Sequence, residues 1–315
     1  MDASVTVSVV THQSARHVDA CLASLESQGP CVREVLLADS GSSDGTLECV
    51  RARHPRVRVR SLGRNAGYAA AHNRNWAAAS GAFLLALNPD VVLGPGYVPR
   101  LLECLQADPG LGAAGGRLLS PGPVPRIDSA GIAYGPARAR FVDRGRGSSP
   151  ERYASEEDVL GACGAAALYR GTALDAVEAP GESPFAERLF MYYEDVDLCW
   201  RLRHAGWRVR YCPDAEAVHE RGGSGADEAF TEYHLVRNRL WVSLRNATGG
   251  EGLRELPGLA AFELVKLVQA IGRPHLRAAL RDQLRGVRAS LAERRQQKTR
   301  LLGRASPASR VEAQR

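Results

Sequence analysis

The feature that most restricts the fold is a regular alternation of short apolar segments with helical ones along the first 90 residues. Residues 5–10, 34–39 and 83–87 are rich in β-branched or aliphatic side chains, as buried strands are. Residues 18–28, 46–53 and 65–80 lie near or between them and have helical spacing or alanine-rich composition. The pattern predicts βαβ units, and therefore an α/β protein with a mixed, mostly parallel sheet flanked by helices.

Two aspartates stand where predicted strands end. Asp39 closes residues 34–39 and leads into a turn-rich stretch of Ser and Gly, and Asp90 follows residues 83–87 after a stiffening proline. Ligands of such sheets bind beyond the carboxyl ends of the strands. We therefore expect Asp39 and Asp90 to line one site, although a lone aspartate in either place is more often a plain turn residue.

Charge is divided unevenly along the 315 residues. Residues 251–315 carry 14 Lys and Arg against 6 Asp and Glu, whereas the first 250 carry 27 against 29. The body therefore lacks the basic footprint of a nucleic-acid-binding domain, and no nucleic-acid partner is expected. A content of 44% hydrophobic residues suits one large domain, which we place at residues 1–250.

The expected compartment is the cytoplasm. The seven cysteines are scattered, odd in number and without a CxxC pair, which argues for reduced thiols. No apolar run reaches the length of a membrane span or a signal peptide.

The chain changes character after Gly249-Gly250. Leucine and valine recur at helical spacing between residues 276 and 291 with arginines on other faces, which predicts a basic amphipathic extension over residues 251–295. Two interpretations stay open, namely peripheral contact of residues 259–295 with the inner face of a membrane, or packing on the body. Residues 296–315 are polar and are predicted to be disordered.

A string of acids, Glu194-Asp195-Val196-Asp197, is the strongest chemical signal. Three carboxylates within four residues usually bind a cation or take up a proton. The alternative is a helix start, where the dipole favours acids, but that explains one or two acids rather than three. Asp195 is the candidate general base, with its basicity raised by Glu194, Asp197 and partial burial. Asp90 and His219 are candidate ligands of a divalent cation, although a lone histidine is more often structural.

Taken together, the motifs resemble those of family 2 glycosyltransferases of the GT-A (Rossmann-like) fold, and within that family the rhamnosyltransferase-like branch. The resemblance covers roughly residues 5–245. Its seven pieces occur in order, and none is specific alone: residues 7–11 (VSVVT), 38–46 (ADSGSSDGT), 64–68 (RNAGY), 87–90 (LNPD), 161–165 (GACGA), 194–199 (EDVDLC) and His219.

The resemblance implies a role for each matching position. Asp195 would be the catalytic base of an inverting, metal-dependent transfer, assisted by Glu194, while Asp90 and His219 would hold Mg²⁺ or Mn²⁺. The implied nucleotide-binding residues are Thr11, Asp39, Arg64, Asn65, Gly67 and Asn73. Asp44 would organise its own turn. Arg237 would contact the diphosphate, with a surface-helix arginine as the alternative.

The implied function is transfer of a sugar from a dTDP- or UDP-sugar, best matched by dTDP-L-rhamnose, to a glycan, glycolipid or small natural-product acceptor, as in cell-wall or polysaccharide biosynthesis. One alternative is a sugar-1-phosphate nucleotidyltransferase, but residues 11–14 (THQS) lack the Gly-rich basic loop such enzymes carry after the first strand. Another alternative is a non-catalytic sugar-nucleotide-binding relative.

Overall fold

The alternating segments of the sequence form a central sheet with helices on both faces. In the computed structural model, residues 3–135, 140–178, 183–222, 227–247 and 249–303 are described. The strands are β1 Val5–Thr11, β2 Val32–Asp39, β3 Arg58–Ser61, β4 Phe83–Leu87, β5 Val91–Leu93, β6 Leu111–Ser120, β7 Arg126–Ser129, β8 Ile132–Gly135, β9 Arg140–Asp143, β10 Glu157–Val159, β11 Ala166–Arg170 and β12 Arg208–His219. The helices are α1 Val18–Ser24, α2 Thr46–Arg53, α3 Tyr68–Trp76, α4 Tyr97–Ala107, α5 Gly171–Val177, α6 Glu194–His204, α7 Glu228–Asn246, α8 Gly249–Gln269 and α9 Pro274–Gly303.

Strand directions confirm the mixed α/β class. In the described part of the chain, the main sheet has ten strands with the backbone order β10-β12-β6-β11-β4-β1-β2-β3, while β5 pairs with β12 and β7 with β6. Strands β1 to β4, β6 and β12 run in one direction. Strand β11 runs antiparallel between β4 and β6, so its first residues meet the carboxyl end of β4.

Side chains of the strands alternate between two cores, as the pleat requires. Leu85 and Leu87 of β4 pack on the face covered by α1, α2 and α4, whereas Leu84 and Ala86 pack on the face covered by α3, α5 and α6. All five residues of β4 are buried. This explains why the strand reads in sequence as an uninterrupted apolar run rather than an alternation.

Several element boundaries differ from the sequence expectation. Helix α3 begins at Tyr68 rather than residue 65, because Gly67 adopts a φ of +81° that ends the preceding turn. The helix predicted over residues 18–28 ends at Ser24 and continues as a 3₁₀ turn over residues 25–28. Strand β12 is irregular between Cys212 and Glu216. Strands β8 and β9 pair as a hairpin whose connection, residues 136–139, lies outside the described residues.

The C-terminal extension consists of two helices, and α9 packs along α7. Leu276, Ala279 and Ser290 of α9 are fully buried, so its apolar face is turned towards the body. Of the two interpretations left open for the extension, packing on the body therefore describes α9. The helix continues to Gly303, so residues 296–303 are helical where a disordered tail was predicted; residues 304–315 lie outside the described residues.

Candidate active site

The predicted nucleotide residues Thr11 and Asp39 lie side by side at the carboxyl ends of β1 and β2. Thr11 Oγ1 donates a 2.9 Å hydrogen bond to Asp39 Oδ1, and both residues are fully buried. Asp39 also accepts from the backbone N–H groups of Gly41 and Ser42 and from the Ser42 hydroxyl. These four bonds occupy the acceptor capacity of one carboxylate. Asp39 thus shapes the loop after β2, and binding the N–H of a base would require exchange of one of these bonds.

Arg64, Asn65 and Gly67 lie against this loop. The backbone of Arg64 passes Gly41 so closely that a Cβ on that glycine would lie 3.0 Å from the Arg64 Cα. Asn65 Oδ1 accepts from the N–H of Gly67 and forms the turn before α3. Arg64 and Asn65 are exposed. Their side chains are therefore accessible to a ligand at the carboxyl edge of the sheet.

The structure gives Asn73 a different role from the predicted one. Asn73 is buried, and its amide group donates to the carbonyl of Phe185 and to Glu187 Oε1, while its Oδ1 accepts from the N–H of Phe185. Both amide protons are therefore used within the protein. Asn73 anchors the segment before the acidic string, and we remove it from the set of nucleotide-binding residues.

The predicted metal ligands Asp90 and His219 meet across the antiparallel pair β5 and β12. His219 is the register partner of Val91, and the His219 Nε2 lies 3.5 Å from Asp90 Oδ1. The other ring nitrogen, Nδ1, lies 2.8 Å from Oδ2 of the buried Asp128, a residue that sequence reasoning did not single out. Burial alone would lower the pKa of His219, but the hydrogen bonds to Asp128 and Asp90 outweigh it and raise the pKa to about 9.

These residues fit a bound divalent cation in their chemistry. No group of three or more His, Cys, Asp or Glu residues forms a metal cage within the described ranges. Mg²⁺ and its relatives, however, are commonly held by one or two carboxylates together with substrate phosphates. Asp90 and His219 supply one oxygen and one nitrogen ligand, and Asp128 holds the ring of His219 as outer-shell carboxylates do.

The predicted base, Asp195, is the second residue of α6, and two backbone N–H groups fix its carboxylate. Gly164 donates to Asp195 Oδ2 at 2.8 Å, and Val196 donates to Oδ1 at 2.7 Å. Burial raises the pKa of Asp195, the two N–H groups oppose the change, and the result is a pKa of about 6. A carboxylate of that pKa is largely ionised at neutral pH and still basic enough to accept a proton.

Glu194 lies next to Asp195 in a drier setting. Its side chain is buried, and its Oε2 has no hydrogen-bond partner in the described part of the chain. Burial, and then the negative charge of Asp195, raise the pKa of Glu194 well above its usual value. Glu194 therefore loses its proton less readily than an exposed glutamate does.

The third acid of the string, Asp197, does not belong to this pair. It is fully buried between Arg201 and Arg245, at 2.8 and 3.1 Å, and accepts from Asn246. Burial opposes its ionisation, yet the two arginines outweigh it and hold the pKa of Asp197 below its usual range. The prediction that Asp197 raises the basicity of Asp195 is wrong, because its charge is neutralised within the structure.

The backbone before the acidic string is strained. Phe190, Tyr192 and Tyr193 have φ values of 66°, 67° and 71°, which non-glycine residues rarely adopt and which cost about 1–3 kcal/mol each. Asn238 of α7 holds this segment through its side-chain NH₂ group, whose two protons are shared among the carbonyl oxygens of Leu189, Met191 and Tyr192 at 2.7–2.8 Å. The strain sets the direction in which the chain enters α6 at Glu194.

Arg237 supports the same segment rather than an open pocket. Its guanidinium donates to the carbonyl of Leu189 at 2.7 Å and to Asn238 Oδ1, and it stacks on the rings of Tyr233 and Trp241. The placement of Arg237 therefore matches neither of the two alternatives considered for it, a diphosphate contact and a plain surface arginine.

Tyr68 ties the parts of the site together. Its hydroxyl donates to the carbonyl of Gly164 at 2.6 Å. Burial, followed by the negative charges of Glu194 and Asp195 and more weakly Asp90, raises the pKa of Tyr68 well above its usual value. The acidic pair and the Asp90 carboxylate thus act on one buried hydroxyl. Sequence reasoning missed Tyr68 as a site residue, although it lies in the motif at residues 64–68.

The comparisons with known proteins agree with this geometry. The profile described as Glycosyl transferase family 2 matches residues 6–177. The chain belongs to that family. The glycosyltransferase is 34% identical over 245 residues to the N-acetylglucosaminyl-diphospho-decaprenol L-rhamnosyltransferase of Mycobacterium tuberculosis, covering 71% of this chain and 78% of that one. It is also 29% identical over 188 residues to the pre-mycofactocin glycosyltransferase of the same species, covering 58% of this chain and 34% of the relative.

Solved structures support the GT-A fold at low sequence identity. The glycosyltransferase resembles GalNAc-T7 with UDP, GalNAc and Mn²⁺ with a TM-score of 0.59 and 14% identity, covering 77% of this chain and 48% of that one. It resembles the mannosyltransferase PcManGT of Pyrobaculum calidifontis in complex with GDP-Man and Mn²⁺ with a TM-score of 0.54 and 20% identity, covering 95% and 84%. The predicted fold and the rhamnosyltransferase-like relationship are confirmed.

Proposed function

We propose that this glycosyltransferase is an inverting, metal-dependent enzyme that transfers L-rhamnose from dTDP-L-rhamnose to a hydroxyl group of a lipid-linked glycan. The same proposal in broader form allows a related dTDP- or UDP-sugar as donor. It also allows a free glycan or natural product as acceptor. The observation that carries it is the carboxylate of Asp195, fixed by Gly164 and Val196, with a pKa of about 6.

The proposed reaction uses Asp195 as the base. As the acceptor oxygen attacks the anomeric carbon, its proton passes to a carboxylate oxygen of Asp195, and the bond between that carbon and the diphosphate breaks. The nucleoside diphosphate leaves with the electron pair of that bond. Burial and the charge of Asp195 raise the pKa of Glu194, which disfavours a second negative charge beside the base.

Asp90 and His219 would hold Mg²⁺ or Mn²⁺, and such a cation supplies charge neutralisation to the diphosphate leaving group. Support comes from the juxtaposition of Asp90 Oδ1 and His219 Nε2 and from the anchoring of the ring by Asp128. The fold relatives GalNAc-T7 and PcManGT were both solved with Mn²⁺.

The donor and acceptor follow from the most informative relative. The mycobacterial enzyme is named for a rhamnosyl donor and an acceptor that joins N-acetylglucosamine through a diphosphate to decaprenol. We propose the same chemical class of acceptor, a sugar on a polyprenyl diphosphate, as in cell-wall or polysaccharide biosynthesis. The proposed location is the cytoplasmic face of the membrane, which the seven free thiols of the described chain suit.

Of the alternatives, a non-catalytic relative is the one to test against. Such a protein would be expected to have lost its acids, whereas Asp90, Asp195 and Glu194 are all present and the last two have strongly raised pKa values.

The first experiment is a thermal-stability panel with dTDP, UDP, GDP and dTDP-L-rhamnose, with and without Mn²⁺. Ligands that bind the native state raise the melting temperature, and we expect the largest Mn²⁺-dependent rise with the dTDP species. Asp90→Asn should abolish the Mn²⁺-dependent part. Turnover of dTDP-L-rhamnose with a polyprenyl-diphosphate acceptor then tests transfer. If a nucleotide stabilises the protein but no sugar is transferred, the non-catalytic alternative is correct. If no nucleotide stabilises it, the proposal of nucleotide-sugar transfer is wrong, and if GDP alone does, the donor assignment is wrong.

A further inference from the structure

We propose that helix α8 docks the enzyme on the surface of a lipid bilayer that carries anionic headgroups. The contact would be made by the α8 stripe, which we define as Leu264, Leu267, Val268 and Ile271. These side chains are 63%, 61%, 61% and 80% exposed. The inference deepens the proposed function and rests on it for its purpose, because a lipid-linked acceptor would be met at that surface.

Leu264, Leu267 and Val268 lie on one face of α8 at positions i, i+3 and i+4. Ile271 follows in the turn after Gln269, where its N–H donates to the carbonyl of Val268 at 3.2 Å, and it extends the stripe beyond the end of the helix. Pro257, Ala260 and Ala261 are exposed too and extend the same side towards the N-terminus. The face is roughly 20 Å long at the rise of an α-helix. Contiguous exposed apolar surface of this kind marks an interaction site more often than ordinary surface.

The polarity of α8 is inverted relative to a helix that faces water. Two charged residues that flank the stripe are bonded to α7, where Lys266 Nζ donates to Glu232 Oε1 at 2.7 Å and Glu263 Oε1 accepts from Arg239 at 3.0 Å. The guanidinium of Arg239 also stacks on Phe262, 3.7 Å from the ring centroid. The polar anchors of α8 therefore fix the helix so that its aliphatic side chains face outwards.

Cations stand at the C-terminal end of the stripe. Arg277 is exposed and donates to the carbonyls of Ala270 and Ile271, at 3.1 and 2.9 Å, which holds its guanidinium beside the last residue of the stripe. The side chain of Arg273 is half exposed even though it pairs with Glu232. Farther along α9, the side chains of Arg281 and Arg285 are 63% and 70% exposed. An aliphatic face bordered by arginines matches the boundary between acyl chains and anionic headgroups.

The helix would lie on the membrane and not cross it. Within the described ranges, no helix is long and apolar enough to span a bilayer. A second copy of the chain is the competing occupant. In a two-fold dimer the same arginines would approach each other at the border of the interface, and the acids nearest to them, Glu232 and Asp282, are already paired.

The test is flotation of the full chain with vesicles in the absence of donor and acceptor. We expect binding to phosphatidylcholine vesicles that contain phosphatidylglycerol, weaker binding to phosphatidylcholine alone, and a decrease with salt. Leu267→Glu should weaken binding at least about tenfold, because a carboxylate then replaces aliphatic contact at an anionic surface. Leu284→Glu is the matched control, since Leu284 is 73% exposed on α9 outside the stripe. It adds the same carboxylate beside Arg285 without removing aliphatic contact from the stripe, and it should weaken binding much less than Leu267→Glu does.

Three results would overturn the proposal: no flotation with anionic vesicles, equal loss in Leu267→Glu and Leu284→Glu, or a dimer in light scattering that only Leu267→Glu dissociates. Failure of the proposed function is separable. Asp195→Asn should float normally, and Leu267→Glu should retain transfer to a short-chain, water-soluble acceptor. If the protein floats normally but transfers no sugar, the proposed reaction is wrong and the proposed docking surface is still supported.

Discussion

The backbone N–H of Gly164 donates to Oδ2 of Asp195 at 2.8 Å, and this bond connects the turn before β11 to the first turn of α6. The partners are 31 residues apart in sequence, yet Asp195 lies so close to the glycine that an added Cβ would be 3.1 Å from the Asp195 Cβ. Burial raises the pKa of Asp195, and the hydrogen bond from Gly164 lowers it. Position and basicity of Asp195 thus have one structural origin.

The pH dependence of turnover should follow the ionisation of Asp195. The base acts when it is deprotonated, and its pKa is raised to about 6, so kcat/KM should rise with pH through about 6 and then level off. Asp195→Asn should lower kcat by about 10²–10⁴-fold and leave the affinity for dTDP unchanged, as measured by calorimetry. A flat profile between pH 5 and 8 in the wild type, or normal turnover in the variant, would show that another group is the base.

Gly164→Ala should impair catalysis without unfolding the protein. An added Cβ would lie 3.1 Å from Asp195 Cβ and 3.2 Å from Oδ2, so the carboxylate must shift by a few tenths of an ångström. Misplacement of reacting groups on this scale is expensive, and we expect kcat to fall about tenfold. Gly272→Ala is the control, because a methyl group there meets nothing within 4 Å. Equal steady-state rates for the two variants would contradict the proposed positioning.

Asp197→Asn should destabilise the fold, in contrast to Asp195→Asn. The substitution removes the charge between Arg201 and Arg245, and an uncompensated buried charge costs about 3–5 kcal/mol. The free energy of unfolding is measured by urea denaturation for Asp197→Asn, and the same quantity for Asp195→Asn is the reference. If Asp197→Asn were as stable as the wild type and inactive, Asp197 would have a catalytic role that its contacts do not suggest.

Asp128→Asn should weaken metal binding, because Asp128 fixes the imidazole of His219 through Nδ1. Loss of such an outer-shell partner typically lowers metal affinity about 10–100-fold. Titration of Mn²⁺ followed by electron paramagnetic resonance measures this directly. Asp214→Asn, on an exposed position of β12, is the control. Unchanged Mn²⁺ affinity in a folded Asp128→Asn variant would remove His219 from the metal site or Asp128 from its support.

Much of the architecture could be predicted from local sequence. Helix α2 and strand β4 occupy the predicted residues, and strands β1 and β2 lie within two residues of the prediction. The patterns of β1 and β4 are strong because every residue of these two strands is buried. Helix α4 and strand β6 were not predicted. The glycine- and alanine-rich sequence of β6 carries little β propensity, and pairing with β11 and β12 determines its conformation.

The sequence by itself determined which chemical groups the protein has at the ends of its strands, namely Asp39, Asp90 and His219, and at the start of α6, namely Glu194 and Asp195. Only the tertiary structure decided what each group does, because hydrogen-bond partners come from distant segments. Asn73 and Arg237 use their donors within the protein, and Asp197 is neutralised by Arg245 from another helix. The orientation of α8 was decided in the same way, since Glu232 and Arg239 bind Lys266 and Glu263 on the side facing α7, while Leu264, Leu267 and Val268 stay exposed.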